Sequence, residues 1–412
     1  MDGFDIKRCG RDDYPEFLDV LNRAFGYEPD SHWFQRNLVN CTPYPDKADS
    51  RLIGCHVIAV NRENGEIMGG VGVYPFQLIV SEDAPDGERF VLPAVGIGQV
   101  CCLPQYRERG VMSGTLNKAI EESVRDGYVL GFLGGDRYRY GNFGFDYGGG
   151  ALQLNYRFNR LKTAVNQAYN RGADVRTAGF EDIKFLNGMY ETLPSYVKRD
   201  AGYWQTQIGG GKFIWQIGTA GGAGAYIAYE AAQKNRILEI CGDPDLALFL
   251  IYSHMKMNWL DRASTELPFA PGRADPLYRK LSDASSHMSA SPMDNGLTAI
   301  FSPDGAYGIL KPAIERMGIR LADGAEKGIM QADGADKGIK QADGAKKGIM
   351  QADGAEKGIM QADDADKGTK QADDAEKAEL IRCLLGCPGF PRGRAYKGAR
   401  PLVMWASSVD NV

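Results

Sequence analysis

The stretch Val91-Leu-Pro-Ala-Val-Gly-Ile-Gly-Gln-Val-Cys-Cys-Leu-Pro104, continued by Gln105-Tyr-Arg-Glu-Arg-Gly-Val-Met-Ser-Gly-Thr115, decides the fold. An apolar strand pattern ends there, a short basic turn with Gly110 follows, and an amphipathic helical pattern begins at once. Backbone N–H groups at a helix N-terminus favour a phosphate group, and Arg107 and Arg109 add positive charge. An ordinary strand-to-helix turn with surface arginines explains the same residues.

Patterns on either side of this stretch predict a mixed α/β fold. Helical spacing is predicted at 13–25, 32–38 and 110–125, and strand patterns at 54–60, 66–80, 90–104 and 128–133. The strands before residue 104 are expected to form an antiparallel meander. A second strand-and-helix set follows, with helices predicted at 180–193 and 244–259 and strands at 225–230 and 236–241. These patterns predict a second α/β domain.

Length and composition limit the class of protein. The 412 residues, of which 43% are hydrophobic, suggest about two to four domains with buried cores. Lys+Arg 48 against Asp+Glu 53 leaves a net charge of −5, which argues against nucleic acid as a partner. The eight cysteines show no paired spacing, and no signal peptide or long apolar run is apparent. We therefore expect a cytoplasmic protein with reduced thiols, no metal site and no membrane span.

From Ala322 the chain carries six tandem copies of a decapeptide, typified by ADGAEKGIMQ and with the sixth incomplete, and the repeat insertion is assigned to residues 322–377. Each copy has few large apolar residues and usually two glycines, so it buries little surface against a large ordering entropy. The array holds thirteen acidic residues against nine lysines, which is most of the net negative charge. The pattern favours a solvated, partly helical insertion, with a packed short-repeat solenoid as the alternative.

A second motif follows the strand at 128–133. Gly134-Gly-Asp-Arg-Tyr-Arg-Tyr-Gly-Asn-Phe-Gly-Phe145, taken with the Arg107-x-x-Gly110 turn, resembles the GNAT superfamily of acyl-CoA-dependent N-acetyltransferases. The order of elements matches over residues 1–160. Leu92-Pro93, the Tyr-Gly-x-Phe-Gly-Phe run and the chain length resemble the Eis-like (enhanced intracellular survival) branch.

That resemblance implies a domain organisation. It implies a GNAT domain at 1–160 with a mixed sheet and flanking helices, a second GNAT-like domain at 161–285, and a sterol-carrier-like domain at 286–412 interrupted by the repeats. Residues 291–319 fit the third domain poorly. The branch also implies a homo-oligomer.

The resemblance further implies acetyl-CoA as the acyl donor. The implied binding residues lie at the end of the strand predicted at 90–104, in the turn that follows it, and after the strand predicted at 128–133. They are Val100, Cys101, Cys102, Arg107, Glu108, Arg109, Gly110, Val111, Met112, Ser113, Gly135 and Asp136. Met112 departs from the small residue common at that place. Tyr140 is the implied general acid for the departing thiolate, although a tyrosine packed beside Phe143 is the simpler explanation.

The acceptor is expected to be a primary amine on a small molecule or a peptide, such as an aminoglycoside, a polyamine or a lysine side chain. Asp30 and Trp33 lie where the fold admits the acceptor, and a carboxylate and an aromatic ring suit a cation. In the branch the C-terminal carboxylate enters the acetylation site, so Val412 is the candidate base and Asp410 the alternative. The competing hypothesis is a non-catalytic scaffold that binds CoA or lipid and uses the repeats as a tether.

Overall fold

The computed structural model describes residues 3–38, 41–81, 88–148, 150–166, 169–268, 275–292, 296–316, 377 and 380–381. In chain order, the strands are β1 (Phe4–Arg8), β2 (Val57–Asn61), β3 (Ile67–Ser81), β4 (Arg89–Cys102), β5 (Leu130–Leu133), β6 (Asp146–Tyr147), β7 (Gly150–Arg157), β8 (Asp174–Thr177), β9 (Ser195–Val197), β10 (Phe213–Ala220), β11 (Ala223–Glu230), β12 (Gln233–Gly242), β13 (Arg262–Pro268), β14 (His287–Pro292) and β15 (Leu297–Ile300). They form two mixed sheets.

Helices cover the faces of both sheets. They are α1 (Tyr14–Ala24), α2 (Trp33–Asn37), α3 (Ser50–Ile53), α4 (Val111–Arg125), α5 (Arg137–Tyr140), α6 (Phe158–Ala164), α7 (Tyr169–Gly172), α8 (Ile183–Tyr190), α9 (Ala201–Gly209), α10 (Pro244–Met257), α11 (Pro276–Ala284) and α12 (Pro303–Arg316). The mixed α/β class predicted from the sequence is confirmed.

The first sheet has the order β1-β2-β3-β4-β5-β15-β6. The predicted meander is confirmed, because β2, β3 and β4 pair antiparallel. The pair β4–β5 is parallel, with α4 as its crossover. β15 lies antiparallel between β5 and β6, although more than 140 residues separate it from β6 along the chain. The outer end of β3 also pairs with β9.

The second sheet, β14-β7-β13-β12-β11-β10-β8, repeats this arrangement. Its strands β8, β10, β11 and β12 pair antiparallel, β12–β13 is parallel, and α10 is the crossover between them. The domain boundaries at 160 and 286 stay predictions, and two strands near them show where the chain passes between the sheets. β7 belongs to the second sheet from Gly150, and after β14 the chain returns to the first sheet at β15.

Three helices fix the first sheet through apolar faces at helical spacing. On one face, Leu116 and Ala119 of α4 pack with Val95 and Ile97 of β4. On the other face, α1 covers β2 and the start of β3, and α12 covers the outer part of β3 and β4. Alternate β4 residues therefore meet α4 and α12, as the period of two in a strand requires.

A buried ion pair holds the segment that follows β9. The Arg199 guanidinium donates to both carboxylate oxygens of Glu239 at 3.0 and 2.7 Å, and the Tyr226 hydroxyl donates to the same carboxylate at 2.7 Å. Arg199 also lies 3.7 Å from the centre of the Tyr190 ring. Breaking such a buried pair typically costs about 3–5 kcal/mol. The contact therefore ties β9, a strand of the first sheet, to β12 of the second.

The chain returns to α12 after the repeat array. Lys377 forms an ion pair with Asp304 in the first turn of α12. Leu380 and Ile381 are fully buried in the cluster that contains Leu310. The array itself lies outside the described residues, and so do Asp410 and Val412. Within the described ranges, no helix combines the length and apolar character of a membrane span, and no group of three or more metal-ligating side chains occurs.

Deleting two whole decapeptides should leave the melting temperature nearly unchanged. Sixty residues separate Arg316 from Lys377, and shortening a loop of that size to forty changes its closure free energy by only about 0.4 kcal/mol. Thermal unfolding measures the effect. As a control, Leu380→Ala should destabilise the protein by about 2–4 kcal/mol, because it removes a buried side chain. A fall of many degrees after the deletion would show that the repeats pack as a solenoid.

Buried His56 should make stability depend on pH. Its Nδ1 accepts the Val73 N–H at 3.1 Å, and burial lowers its pKa to about 4. Between pH 6.5 and 4, His56 is therefore protonated in the unfolded chain but stays neutral in the folded protein. Stability is fully present above pH 6.5, and about 3 kcal/mol is lost as the pH falls to 4.

Urea unfolding at pH 7 and pH 4 tests this expectation. His56→Gln should remove the loss, whereas the matched change at exposed His287 should keep it. An equal pH dependence in the two variants would contradict the assignment.

Candidate active site

The site is built on the separation of β4 from β5. These strands pair in register only from Ala94–Leu130 to Ile97–Leu133. β4 continues to pair with β3 as far as Cys102. Among the described strands, none pairs with residues 98–102 on the side that β5 has left. A wedge-shaped opening with one free strand edge results.

A bulge in β4 lies at the apex of this opening. The register with β3 shifts between Gly70 and Gly72, and Gln99 has a positive φ of 44°. The Tyr74 hydroxyl donates to Oε1 of Gln99 and holds that conformation. Bulges of this kind re-aim a strand near functional sites.

The bulge sets the exposure of the predicted cofactor residues on β4. Val100 and Cys102 are partly exposed, whereas Cys101 is buried. Burial raises the pKa of the Cys101 thiol to about 12. Burial also raises the pKa of Cys102, and the Arg107 charge opposes part of that rise. Neither thiol is a thiolate at neutral pH, so this strand offers backbone groups rather than a sulfur nucleophile.

The basic turn leads directly into α4. Gly110 is the N-cap in the left-handed region, with φ 77°, and no side chain caps the helix. Glu108 is also left-handed, with φ 63°. The first N–H groups of a helix have no partner within it, so those of Val111, Met112 and Ser113 are open to a ligand. A Cβ added at Gly110 would meet nothing within 4 Å, which shows space for a close approach.

Two contacts orient the turn. The Tyr106 hydroxyl donates to Glu66 at 2.5 Å and fixes the turn to the start of β3. The Arg109 guanidinium lies over the Tyr106 ring at 5.7 Å from its centre. Sequence reasoning missed Tyr106 and Glu66, because forty residues separate them and no local pattern links them. Arg107 and Arg109 are both exposed beside the open helix end.

Tyr140 ends α5 on the α4 side of the opening. It is 8% exposed and belongs to the cluster that contains Ile97 and Leu133. Burial raises the pKa of its hydroxyl, and Arg139 opposes part of that rise. The hydroxyl therefore stays protonated at neutral pH, as a proton donor must.

Gly135 and Asp136 position Tyr140. Asp136 caps α5, because its carboxylate accepts the Tyr138 N–H at 2.9 Å. Gly135 has φ 146°, and a Cβ there would lie 2.8 Å from the Tyr140 ring. These two residues support the tyrosine directly.

The predicted acceptor residues lie on the α1 side. The Trp33 ring stacks on Tyr27 with 4.6 Å between ring centres, and the Trp33 backbone N–H donates to Oδ1 of Asn22. Asp30 is exposed nearby. Trp33 packs against the apolar cluster between α1 and the sheet, to which Cys101 of β4 also belongs. Tyr140 belongs to the cluster on the α4 face instead.

Comparison with known proteins agrees with this geometry. Residues 5–148 match the family model described as acetyltransferase (GNAT) domain. Over these residues the chain is similar to GNAT acetyltransferase domains. No curated protein sequence matches the chain.

Solved structures share the fold at low identity. A GCN5-related N-acetyltransferase from Kribbella flavida superposes with TM-score 0.54 at 15% identity, over 74% of both chains. One from Anabaena variabilis gives 0.54 at 11%, over 74% of this chain and 75% of that one. Eis1 from Mycobacterium abscessus gives 0.51 at 14%, over 74% and 76%. At such identities the likeness shows the fold alone, and the Eis-like assignment stays a prediction.

If the turn at Gly110 holds the phosphates of CoA, Gly110→Ala should weaken acetyl-CoA binding by about tenfold, or about 1.4 kcal/mol, because its Cβ would enter that turn. Gly65→Ala is the matched control: both glycines have φ 77° and open space around an added Cβ. Strain should cost each variant about 1 kcal/mol of stability. Calorimetric titration should show weaker binding for Gly110→Ala alone. Equal affinities of the two variants for acetyl-CoA would contradict phosphate binding at the Gly110 turn.

Proposed function

We propose that the protein is an Eis-like N-acetyltransferase that transfers acetyl from acetyl-CoA to a primary amine. The free edge of β4 at 98–102 supports this proposal above all, because it leads straight to the uncapped start of α4. A long ligand with amides at one end and phosphates at the other suits both features. The second sheet, with the same strand arrangement, is proposed as a second GNAT-like domain.

The cofactor contacts follow from these two features. Backbone groups of Val100, Cys101 and Cys102 would pair with the pantetheine arm as an added strand pairs. The N–H groups from Glu108 to Ser113 would hold the pyrophosphate, with Arg107 and Arg109 supplying charge. Gly135 and Asp136 would close over the arm beside Tyr140.

The reaction would proceed by direct attack within one ternary complex. The amine nitrogen forms a bond to the thioester carbonyl carbon, the carbon–sulfur bond breaks, and Tyr140 gives its proton to the leaving thiolate. The proton lost by the amine goes to a base, for which the α-carboxylate of Val412 stays the candidate. Positioning two reactants in one cleft supplies much of the rate gain.

The acceptor is proposed to enter on the face opposite α4. Asp30 and the Tyr27–Trp33 stack offer a carboxylate and aromatic faces to a cation. Aminoglycosides, polyamines and lysine side chains all carry such cations. A cytoplasmic location and a homo-oligomeric state remain part of this proposal, and so does the sterol-carrier-like third domain.

Thiol release from acetyl-CoA with polyamines, aminoglycosides and lysine peptides tests the function. Tyr140→Phe should lower kcat by at least about 100-fold and leave acetyl-CoA affinity unchanged, because the ring keeps its packing. Tyr138→Phe is the control, since Tyr138 is 92% exposed. Acetyl-CoA binding without transfer to any amine would favour the scaffold hypothesis. Wild-type turnover in Tyr140→Phe would remove Tyr140 from the mechanism.

A further inference from the structure

Two phenylalanine rings meet on the face of the first sheet that α4 does not cover. Phe76 of β3 and Phe132 of β5 lie 5.5 Å apart between ring centres, on either side of β4. Both are partly exposed and pack against the α12 cluster. The proposed cofactor contacts and the proposed role of Tyr140 do not involve these two side chains.

Strand register places Phe132 at the apex of the cleft. Phe132 is opposite Gly96, one residue before the last β4–β5 pair, Ile97–Leu133. Its neighbours on β5 face the other way: Leu133 joins the α4 cluster, and a Cβ at Gly131 would strike the ring of Phe301. Phe132 therefore stands on the open face, where the paired strands end.

The open face at this point lies between two helices. α1 reaches β3 at Gly70, where an added Cβ would touch the Phe17 ring. The α12 cluster begins on β3 at Leu78. Tyr74 and Phe76 lie between these positions on the same face, and Gly96 is opposite Tyr74. Because Gly96 has no side chain, β4 places none between Tyr74 and Phe132 on this face, and we call this position the recess.

A cofactor that runs from the α4 N-terminus along residues 98–102 ends at this recess. Its acyl group would lie against Phe132, since α4 covers the opposite face. We propose that Phe132, backed by Phe76, forms the end wall of the acyl pocket and restricts transfer to short acyl groups. This inference rests on the proposed function. The wall is apolar, so it suits an acyl chain rather than the acceptor cation.

Calorimetric titration with CoA, acetyl-CoA and hexanoyl-CoA tests the wall without a known acceptor. In the wild type, hexanoyl-CoA should bind at least about tenfold more weakly than acetyl-CoA. Phe132→Ala should reduce that ratio by about tenfold and leave CoA affinity unchanged. Phe132→Leu, which retains apolar packing, should give an intermediate ratio. Phe301→Ala, on the opposite face of β5, should keep the wild-type ratio.

The outcomes separate the two proposals. Failure of CoA itself to bind the wild type would overturn the proposed function, and the inference with it. CoA binding with equal affinity for the two acyl-CoAs would overturn only the acyl wall. An unchanged ratio in both Phe132 variants would do the same.

Discussion

The site depends on one constraint: β4 keeps its pairing with β3 to Cys102 but loses β5 after Ile97. Backbone N–H and C=O groups inside a protein need partners, so the free edge at 98–102 invites an added strand. Eight residues separate this edge from the start of α4, which has no side-chain cap. One short segment therefore offers an amide-pairing edge and an anion-binding helix end. That conjunction, rather than any single side chain, carries the functional argument.

The second sheet shows what happens when the helix end is closed. β12 and β13 pair only at Arg236–Ser264 and Ile237–Thr265, so these strands also separate before α10. Asp243, however, caps α10 by accepting the Asp245 and Leu246 N–H groups at 3.1 and 2.9 Å. A carboxylate there uses the donors that a phosphate would need and repels its charge. The two sheets thus differ at this place: the start of α4 has no side-chain cap, whereas the start of α10 is capped by a carboxylate.

Local patterns in the sequence predicted the elements on which the site stands. Helical spacing located α1 and α4, each of which buries one face, and apolar runs located α10, β2, β3 and β4, which are buried on both sides. The place of β15 in the sheet could not be predicted in this way, since nothing in its four residues, Leu297–Ile300, indicates that they pair with β5. The sequence also did not predict the bulge at Gln99, because the bulge depends on a contact with Tyr74. Local patterns also do not indicate which sheet a strand joins: β7 lies in the second sheet and β15 in the first.

The segment after the repeats bears on the cleft through α12. Leu380 and Ile381 fill the cluster that joins α12 to Ala94 and Leu130, and Phe132 packs against that cluster. The length of the repeat array has little effect on the free energy of folding, because loop-closure entropy changes slowly with loop length. The return of the chain to α12 does matter for stability, since without Leu380 and Ile381 the packing of α12 would lose two fully buried side chains. Insertions of whole decapeptides are therefore compatible with the cleft. Loss of Leu380 and Ile381 would instead loosen the face on which the acyl group is proposed to lie.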